Sequence, residues 1–165
     1  MINKKGFTLL ELVIVIGILA VLGAVSVMVL NPAQLFAQAR DTTRIEDMSV
    51  LRNALALYVS TVSSPDMDTA QDCSASCFVH TTSAAVAANC GGRHVGATVG
   101  GATRTVAGAG WVPVNFEGVP GGPALPVLPI DPTADANYFY SYGCNNTAKT
   151  YEVNANLEST RYCAN

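Results

Sequence analysis

The chain has 165 residues, of which half are apolar and only 13% are charged, and its formal net charge is −3. Much of the apolar bias lies in the first thirty positions, so about 130 residues remain for one modest domain. A basic nucleic-acid-binding surface is excluded, because Arg40, Arg44 and Arg52 are interleaved with acidic residues. We therefore expect no nucleic-acid partner.

A long apolar span follows a short basic N-terminus. Lys4 and Lys5 precede the segment from Phe7 to Leu30, in which Glu11 is the only charged residue. As a helix rising about 1.5 Å per residue, this segment reaches roughly 36 Å, which is enough to cross the hydrocarbon of a bilayer. By the positive-inside rule, the two lysines predict a cytoplasmic N-terminus and an exported C-terminal part.

Glu11 is the unusual residue of this span. A carboxylate in lipid costs about 2.5–3.5 kcal/mol even on the lenient insertion scale, so we expect Glu11 to pair with a cation once helices pack side by side. Gly17, Ala20 and Ala24 recur at helical spacing, where small side chains permit close helix approach in lipid. The same residues are also common in any transmembrane helix, and both interpretations stay open.

The basic leader differs from that of a secretory signal peptide, in which the cleavage site follows the apolar stretch. Here a cut after Gly6 would remove the leader and keep the helix. The motif is Lys5-Gly6-Phe7-Thr8-Leu9-Leu10-Glu11. It resembles the processing motif of type IV pilins and of the pseudopilins of type II secretion. The likeness covers residues 4–62 well, and it returns more weakly at 128–132, 138–142 and 151–158.

This resemblance implies a structural subunit and not an enzyme, with no cofactor. In that family a dedicated peptidase cuts after the glycine, here Gly6, and methylates the new N-terminus, here Phe7. The glutamate that matches Glu11 then meets the N-terminal amine of a neighbouring subunit. The implied partners are other copies of the chain in a helical homopolymer, the prepilin peptidase, an inner-membrane assembly platform and the membrane before assembly. The implied location is the inner membrane for the precursor and then an extracellular or periplasmic filament.

Beyond the membrane the helix is expected to continue. The Asn31-Pro32 pair predicts a kink or a short unwound stretch, because proline removes a backbone donor and crowds the preceding turn. Apolar residues then recur at three- and four-residue steps from position 35 to 62, which predicts an amphipathic helix. Asp41 and Arg44 are expected on faces other than the apolar one. The Ser-Ser-Pro sequence at 63–65 ends the helix.

The rest of the chain predicts a loop and a small sheet. Pro65 to Gly110 is rich in Ala, Ser, Thr and Gly with little periodicity, which indicates a loop with one short helical piece. Trp111 to Phe116 is extended, although Pro113 restricts it to an edge. Alternating residues at 138–142 and 151–158, on either side of a turn, predict a hairpin that packs on the amphipathic helix.

These elements predict an α+β fold, with a long N-terminal α-helix packed on a small antiparallel β-sheet, as in pilins. The predicted organisation is a cleaved leader at 1–6, a transmembrane and assembly helix at 7–30, and an exported globular domain at 31–165. The amphipathic half of the helix, 31–64, belongs to that domain.

The chain has five cysteines: Cys73, Cys77, Cys90, Cys144 and Cys163. The spacing of the first three, together with His94, is compatible with a four-ligand zinc knuckle. An oxidising compartment outside the membrane favours disulfides instead. If Cys144 lies at the hairpin turn, Cys163 lies beyond its opposite end, too far away to bond with it unless the tail folds back, and we expect Cys163 to pair with the loop cysteines.

Asp131, Asp135 and Asn137 could supply oxygen ligands to calcium, as could Asp66, Asp68 and Glu117 elsewhere. Carboxylates in solvated turns are the more common case. The calcium ligands of major pseudopilins lie in a later acidic segment that this chain does not match, so that site is not transferred.

The function predicted from the sequence is a prepilin that is cleaved after Gly6 and polymerised through its N-terminal helix. The alternative is a major pseudopilin of a type II secretion or DNA-uptake system. A single-pass anchored binding domain and an exported zinc-knuckle protein are less favoured. The sequence shows no catalytic constellation and no phosphate-binding loop.

Overall fold

The computed structural model describes residues 6–69, 71–81, 86 and 88–163. Lys4 and Lys5, to which the sequence assigns the leader charge, lie outside the described residues. The side chain of Cys163 also lies outside the described part, whereas its backbone is included.

Two helices form the N-terminal part: α1 spans Leu9–Leu30 and α2 spans Pro32–Thr61. Asn31 alone separates them, and its backbone is left-handed, with φ 40° and ψ 76°. Pro32 takes the first position of α2, where its missing N–H is not needed for a helical hydrogen bond. The predicted interruption is therefore confirmed as a one-residue break.

The exported part contains a mixed four-stranded sheet in the order β2–β1–β3–β4. The strands are β1 at Ser76–Val79, β2 at Ala97–Gly100, β3 at Tyr140–Asn145 and β4 at Thr150–Ala155. The shorter elements are α3 at Ala88–Gly92, a 3-10 turn at Phe116–Gly118 and α4 at Thr160–Cys163. The α+β class is confirmed. The sheet is not purely antiparallel as predicted, because β1 runs parallel to β2.

The predicted hairpin is confirmed as β3 and β4, but its turn lies at 146–149, three residues later than the expected turn at 143–146. Cys144 is paired with Tyr151 inside the ladder and is not at the turn. The segment from 111 to 116 contributes one isolated bridge, Ala107 with Asn115, and no strand. β1 and β2 lie in the region predicted as a loop, since four-residue strands are too short to show periodicity.

The core lies between α2, the sheet and the loops around it. Leu51, Leu55 and Tyr58 of α2 are buried in the same cluster as Phe116 and Tyr142. Tyr58 meets Phe116 edge to face, with ring centroids 6.0 Å apart. The predicted apolar stripe is therefore confirmed for the second half of α2.

The first half of α2 departs from the prediction. Leu35 and Ile45 were expected in the buried stripe but are 50% and 46% exposed. Asp41 and Arg44 were expected on other faces but are both fully buried. The reason is an ion cluster that satisfies these charges inside the domain, which a periodicity argument does not include.

Arg44 is the centre of this cluster. Its Nη1 donates to Asp41 Oδ1 at 2.9 Å, and its Nη2 donates to Glu158 Oε1 at 2.5 Å. Asp41 also accepts from the backbone N–H groups of Glu158 and Ser159, at 2.9 and 2.8 Å. Glu158 in turn accepts from Arg40. The cluster therefore attaches the C-terminal segment to the beginning of α2.

Candidate processing and assembly segment

The junction predicted for cleavage is exposed and precedes the first turn of α1. Phe7 is 86% exposed. A Cβ atom built at Gly6 would find no heavy atom within 4 Å, and the φ of Gly6 lies outside the left-handed region. Neither packing nor backbone conformation within the described chain therefore requires glycine at position 6. A requirement for a small residue at this position has to come from another molecule.

Thr8 and Glu11 form a capping box at the start of α1. The Thr8 backbone N–H and hydroxyl both donate to Glu11 Oε2 at 2.9 Å, and the Glu11 N–H donates to Thr8 Oγ1 at 3.2 Å. These bonds satisfy donors that an uncapped helix leaves free. The Glu11 carboxylate therefore has neutral donors within its own chain, in addition to any cation that a neighbouring chain supplies.

The sequence analysis missed the role of Thr8. A Thr followed three residues later by Glu, just before an apolar run, is the usual signature of a capping box, and it could have located the helix start at Leu9. The pairing of Glu11 with the amine of a neighbouring Phe7 stays a prediction.

α1 is an apolar helix without a covering surface. Its Leu9–Val29 segment is long and apolar enough to cross a membrane, with a mean hydropathy of 3.0, and its most apolar stretch is not buried within the chain. At about 1.5 Å per residue, these 21 residues span roughly 31 Å, close to the thickness of bilayer hydrocarbon. Such a helix requires lipid or other helices around it.

Gly17 lies in a shallow groove on α1. The groove, of about 360 Å³, is lined by Gly17 and by Ile14, Ile18, Val21 and Leu22. A Cβ atom at Gly17 would meet nothing within 4 Å, so packing within the described chain does not require this glycine. The space is available to a side chain of another helix.

Four of the five cysteines form two disulfides, Cys73–Cys144 and Cys77–Cys90, with Cα–Cα distances of 5.3 and 6.2 Å. The loop cysteines that the zinc alternative requires as thiolates are thus bonded to sulfur. We expected Cys163 to pair with one of the loop cysteines, Cys73, Cys77 or Cys90. This expectation was wrong, because each of these three is bonded to another cysteine. The reason is that Cys144 lies within β3, beside the loop that carries Cys73.

His94, the fourth residue of the zinc alternative, lines a cavity together with Cys73 and Cys144, but its ring nitrogens contact other residues. Its Nε2 is 3.1 Å from the Ser141 hydroxyl, and its Nδ1 is 3.7 Å from Glu152. In the part of the chain that the structure describes, the three-residue group with suitably close metal-ligand atoms is Asp68 with Cys73 and Cys144. The two sulfurs of that group are bonded to each other.

The carboxylates considered for calcium do not form one site in the described structure. Asp131 forms an ion pair with Arg44, whose Nε donates to Asp131 Oδ2 at 2.7 Å. Asp135 accepts from the backbone N–H groups of Asn137 and Tyr138, at 2.8 and 2.7 Å. Asp66 and Asp68 both accept from the Asn146 side chain, at 3.0 and 2.7 Å. Each carboxylate therefore holds a turn or a loop of this chain.

Comparison with known proteins identifies the N-terminal segment. Residues 1–27 match the family model described as the prokaryotic N-terminal methylation motif. This motif is the prepilin-type signal of type IV pilins and pseudopilins, so the resemblance found in the sequence is confirmed for this segment. Neither the curated proteins nor the solved structures give a match to the chain.

Proposed function

We propose that this chain is the precursor of a structural filament subunit, cut by a prepilin peptidase after Gly6 and polymerised through α1. The observation that carries the proposal is the match of residues 1–27 to the N-terminal methylation motif. The motif supports a pilin-like or pseudopilin precursor. We add the proposal that the processed chains polymerise. In this proposal the protein has a structural role in the cell and is not an enzyme.

Two structural features support the proposal. The absence of any steric or backbone requirement for glycine at position 6 fits recognition by a peptidase with a small subsite. The uncovered apolar surface of α1 fits a helix that exchanges lipid for the helices of neighbouring copies. In this scheme, residues 1–6 are the leader, 7–30 the membrane and assembly helix, and 31–165 the exported domain.

The proposed partners follow from this scheme. The precursor lies in the inner membrane, where the peptidase and an assembly platform act on it, and the product is an extracellular or periplasmic filament of identical subunits. Glu11 would meet the methylated amine of Phe7 from a neighbouring copy. A major pseudopilin of a secretion or DNA-uptake system is the second candidate, because pilins and pseudopilins share the motif.

Mass spectrometry of the membrane-derived protein tests processing. We expect a mature N-terminus at Phe7 carrying one methyl group. Gly6→Leu should leave the precursor uncut, whereas Gly6→Ala should retain partial cleavage. Gly118→Leu is a matched control, since a Cβ atom at Gly118 also meets nothing within 4 Å. A mature chain that begins after residue 20, or that still carries Met1, would contradict the proposal.

A further inference from the structure

α2 carries a second apolar surface that faces away from its own domain. We call it the outer stripe, and it consists of Leu35, Ala39, Glu46, Val50, Asn53 and Leu57, all of them exposed. At about 100° per residue, these side chains fall within about 60° of one another around the helix axis. Four apolar residues thus share this exposed surface with one acidic residue, Glu46, and one neutral polar residue, Asn53.

A groove lies on another side of α2, between this helix and the edge strand β4. We call it the α2–β4 groove, and its volume is about 460 Å³. Its apolar lining comes from Ile45, Met48, Val153, Ala155 and Leu157. Arg52 also lines it and is exposed. Arg44 is the other charged lining residue, but its guanidinium is fully buried and bonded to carboxylates of its own domain.

Glu46 and Arg52 are complementary charges that do not meet within one chain. Neither residue takes part in an ion pair among the described residues. Their separation of six positions along the helix is a rotation of about 240°, so their side chains point about 120° apart. An ion pair between them therefore requires two copies.

We propose that the outer stripe of one copy docks into the α2–β4 groove of the next copy, with Glu46 facing Arg52. This inference rests on the filament function proposed above and names the contact between exported domains. The stripe and the groove match in chemistry, because each is mainly apolar and carries one exposed charge, and the two exposed charges are opposite. A contact between two different surfaces of identical subunits is heterologous, and repetition generates an open helical array instead of a closed dimer.

The Glu46–Arg52 ion pair determines the register of the contact between copies and contributes less to its affinity. Apolar burial along the stripe supplies most of the attraction, whereas an exposed ion pair contributes little on its own. Like charges placed opposite each other at an interface, however, are strongly unfavourable, so a reversal of one partner opposes docking. Reversal of both partners restores opposite charges.

Charge reversal in the full-length chain tests the contact. The measurement is the ratio of sheared filament to processed subunit in membranes, determined by immunoblot. Glu46→Arg and Arg52→Glu should each lower this ratio by about tenfold or more, and the double variant should return to within about threefold of the unmodified chain. Glu117→Arg reverses an exposed charge on the 3-10 turn, outside both surfaces, and should leave the ratio unchanged.

A photo-crosslinking residue at Ile45 gives a direct readout. A dimer-sized crosslink is expected in the unmodified background, and it should be lost with Arg52→Glu and regained in the double variant. A crosslink to a species of another mass would show that a different molecule occupies the groove and would overturn the inference.

The remaining outcomes separate the two proposals. If both single variants give unmodified yield, or if the double variant is no better than the singles, the Glu46–Arg52 contact is wrong and the filament function stands. If the processed, unmodified chain gives no filament, the proposed function fails and this inference fails with it.

Discussion

Arg44 and Asp131 form a two-point ion pair inside the domain, with Nε to Oδ2 at 2.7 Å and Nη2 to Oδ1 at 2.8 Å. Both side chains are fully buried. A planar guanidinium that meets a carboxylate at two points fixes orientation as well as charge. The pair ties the loop at Asp131 to α2, and the bond from Arg44 to Glu158 ties the C-terminal segment to the same residue.

The first prediction concerns Arg44. Arg44→Met leaves Asp41, Asp131 and Glu158 close together without their central cation, so we expect the free energy of unfolding to fall by about 3–5 kcal/mol. Thermal unfolding of the detergent-solubilised chain measures this. Arg52→Met removes an exposed arginine from the same helix and should cost less than about 0.5 kcal/mol. Equal losses from the two variants would show that the cluster does not stabilise the domain.

The second prediction concerns acid stability. Hydrogen bonding from Arg40 is the largest cause that lowers the pKa of Glu158, from 4.5 to about 2. Burial alone would raise the pKa of Asp131, but its ion pair with Arg44 and its bonds from the backbone N–H groups of Thr133 and Ala134 together lower it. Because the unfolded chain binds more protons in this range, the stability that Glu158 contributes is present above about pH 4.5 and is lost toward about pH 2.

The unfolding temperature should therefore fall as the pH is lowered through this window. Arg40→Gln removes the main cause of the low Glu158 pKa, so it should weaken the pH dependence between about pH 4.5 and 2. The measurement is the unfolding temperature of both proteins at several pH values. An identical slope in the two proteins would contradict the assignment of the shift to Arg40.

The structure also shows which parts of the fold the sequence could predict. α1, the break at Asn31 and the hairpin were predictable because hydropathy, proline and alternation are local signals. The burial of Arg44 was not, because its partners Asp131 and Glu158 lie 87 and 114 residues away in the chain. A helical periodicity argument treats every charge as solvent-facing and cannot detect such distant partners.

The N-terminal motif was also predictable from the sequence, because it is a continuous string of residues within 1–27. The roles assigned to Gly6, Phe7 and Glu11 within it stay predictions. The Cys73–Cys144 bridge was not predictable, because its cysteines are 71 residues apart and depend on where the hairpin turn falls. Because the turn lies three residues later than expected, Cys144 is inside the ladder, and the expected disulfide pairing was wrong.

The third prediction concerns the two disulfides. In the chain-entropy description, closure of the 71-residue separation between Cys73 and Cys144 stabilises by about 4 kcal/mol, against about 3 kcal/mol for the 13-residue separation between Cys77 and Cys90. The double replacement Cys73→Ser, Cys144→Ser should therefore lower stability more than Cys77→Ser, Cys90→Ser. Denaturant unfolding of the two variants measures the difference. Thiol titration of the unreduced, unfolded chain should detect at most one thiol, and three or more would contradict the pairing.

The fourth prediction separates two roles of Glu11, which the capping box and the proposed filament assign to the same carboxylate. Thr8→Val removes the hydroxyl from the box and should cost about 1 kcal/mol of local helix stability, because the Glu11 N–H loses its acceptor. Glu11→Ala removes the box and also the proposed partner of a neighbouring Phe7 amine. Glu11→Gln keeps a hydrogen-bonding side chain and removes only the charge.

If Glu11 acts only as a cap, Thr8→Val and Glu11→Ala should reduce filament yield equally. If it pairs with the amine of a neighbouring copy, an unpaired buried charge is left when the carboxylate is removed, so Glu11→Ala and Glu11→Gln should both fall well below Thr8→Val. We expect the second pattern, with the larger loss in Glu11→Ala. Cleavage after Gly6 should be normal in all three variants, and immunoblots of processed membrane subunit and sheared filament measure both steps. Unmodified filament yield from Glu11→Ala would remove the pairing mechanism and leave Glu11 as a helix cap.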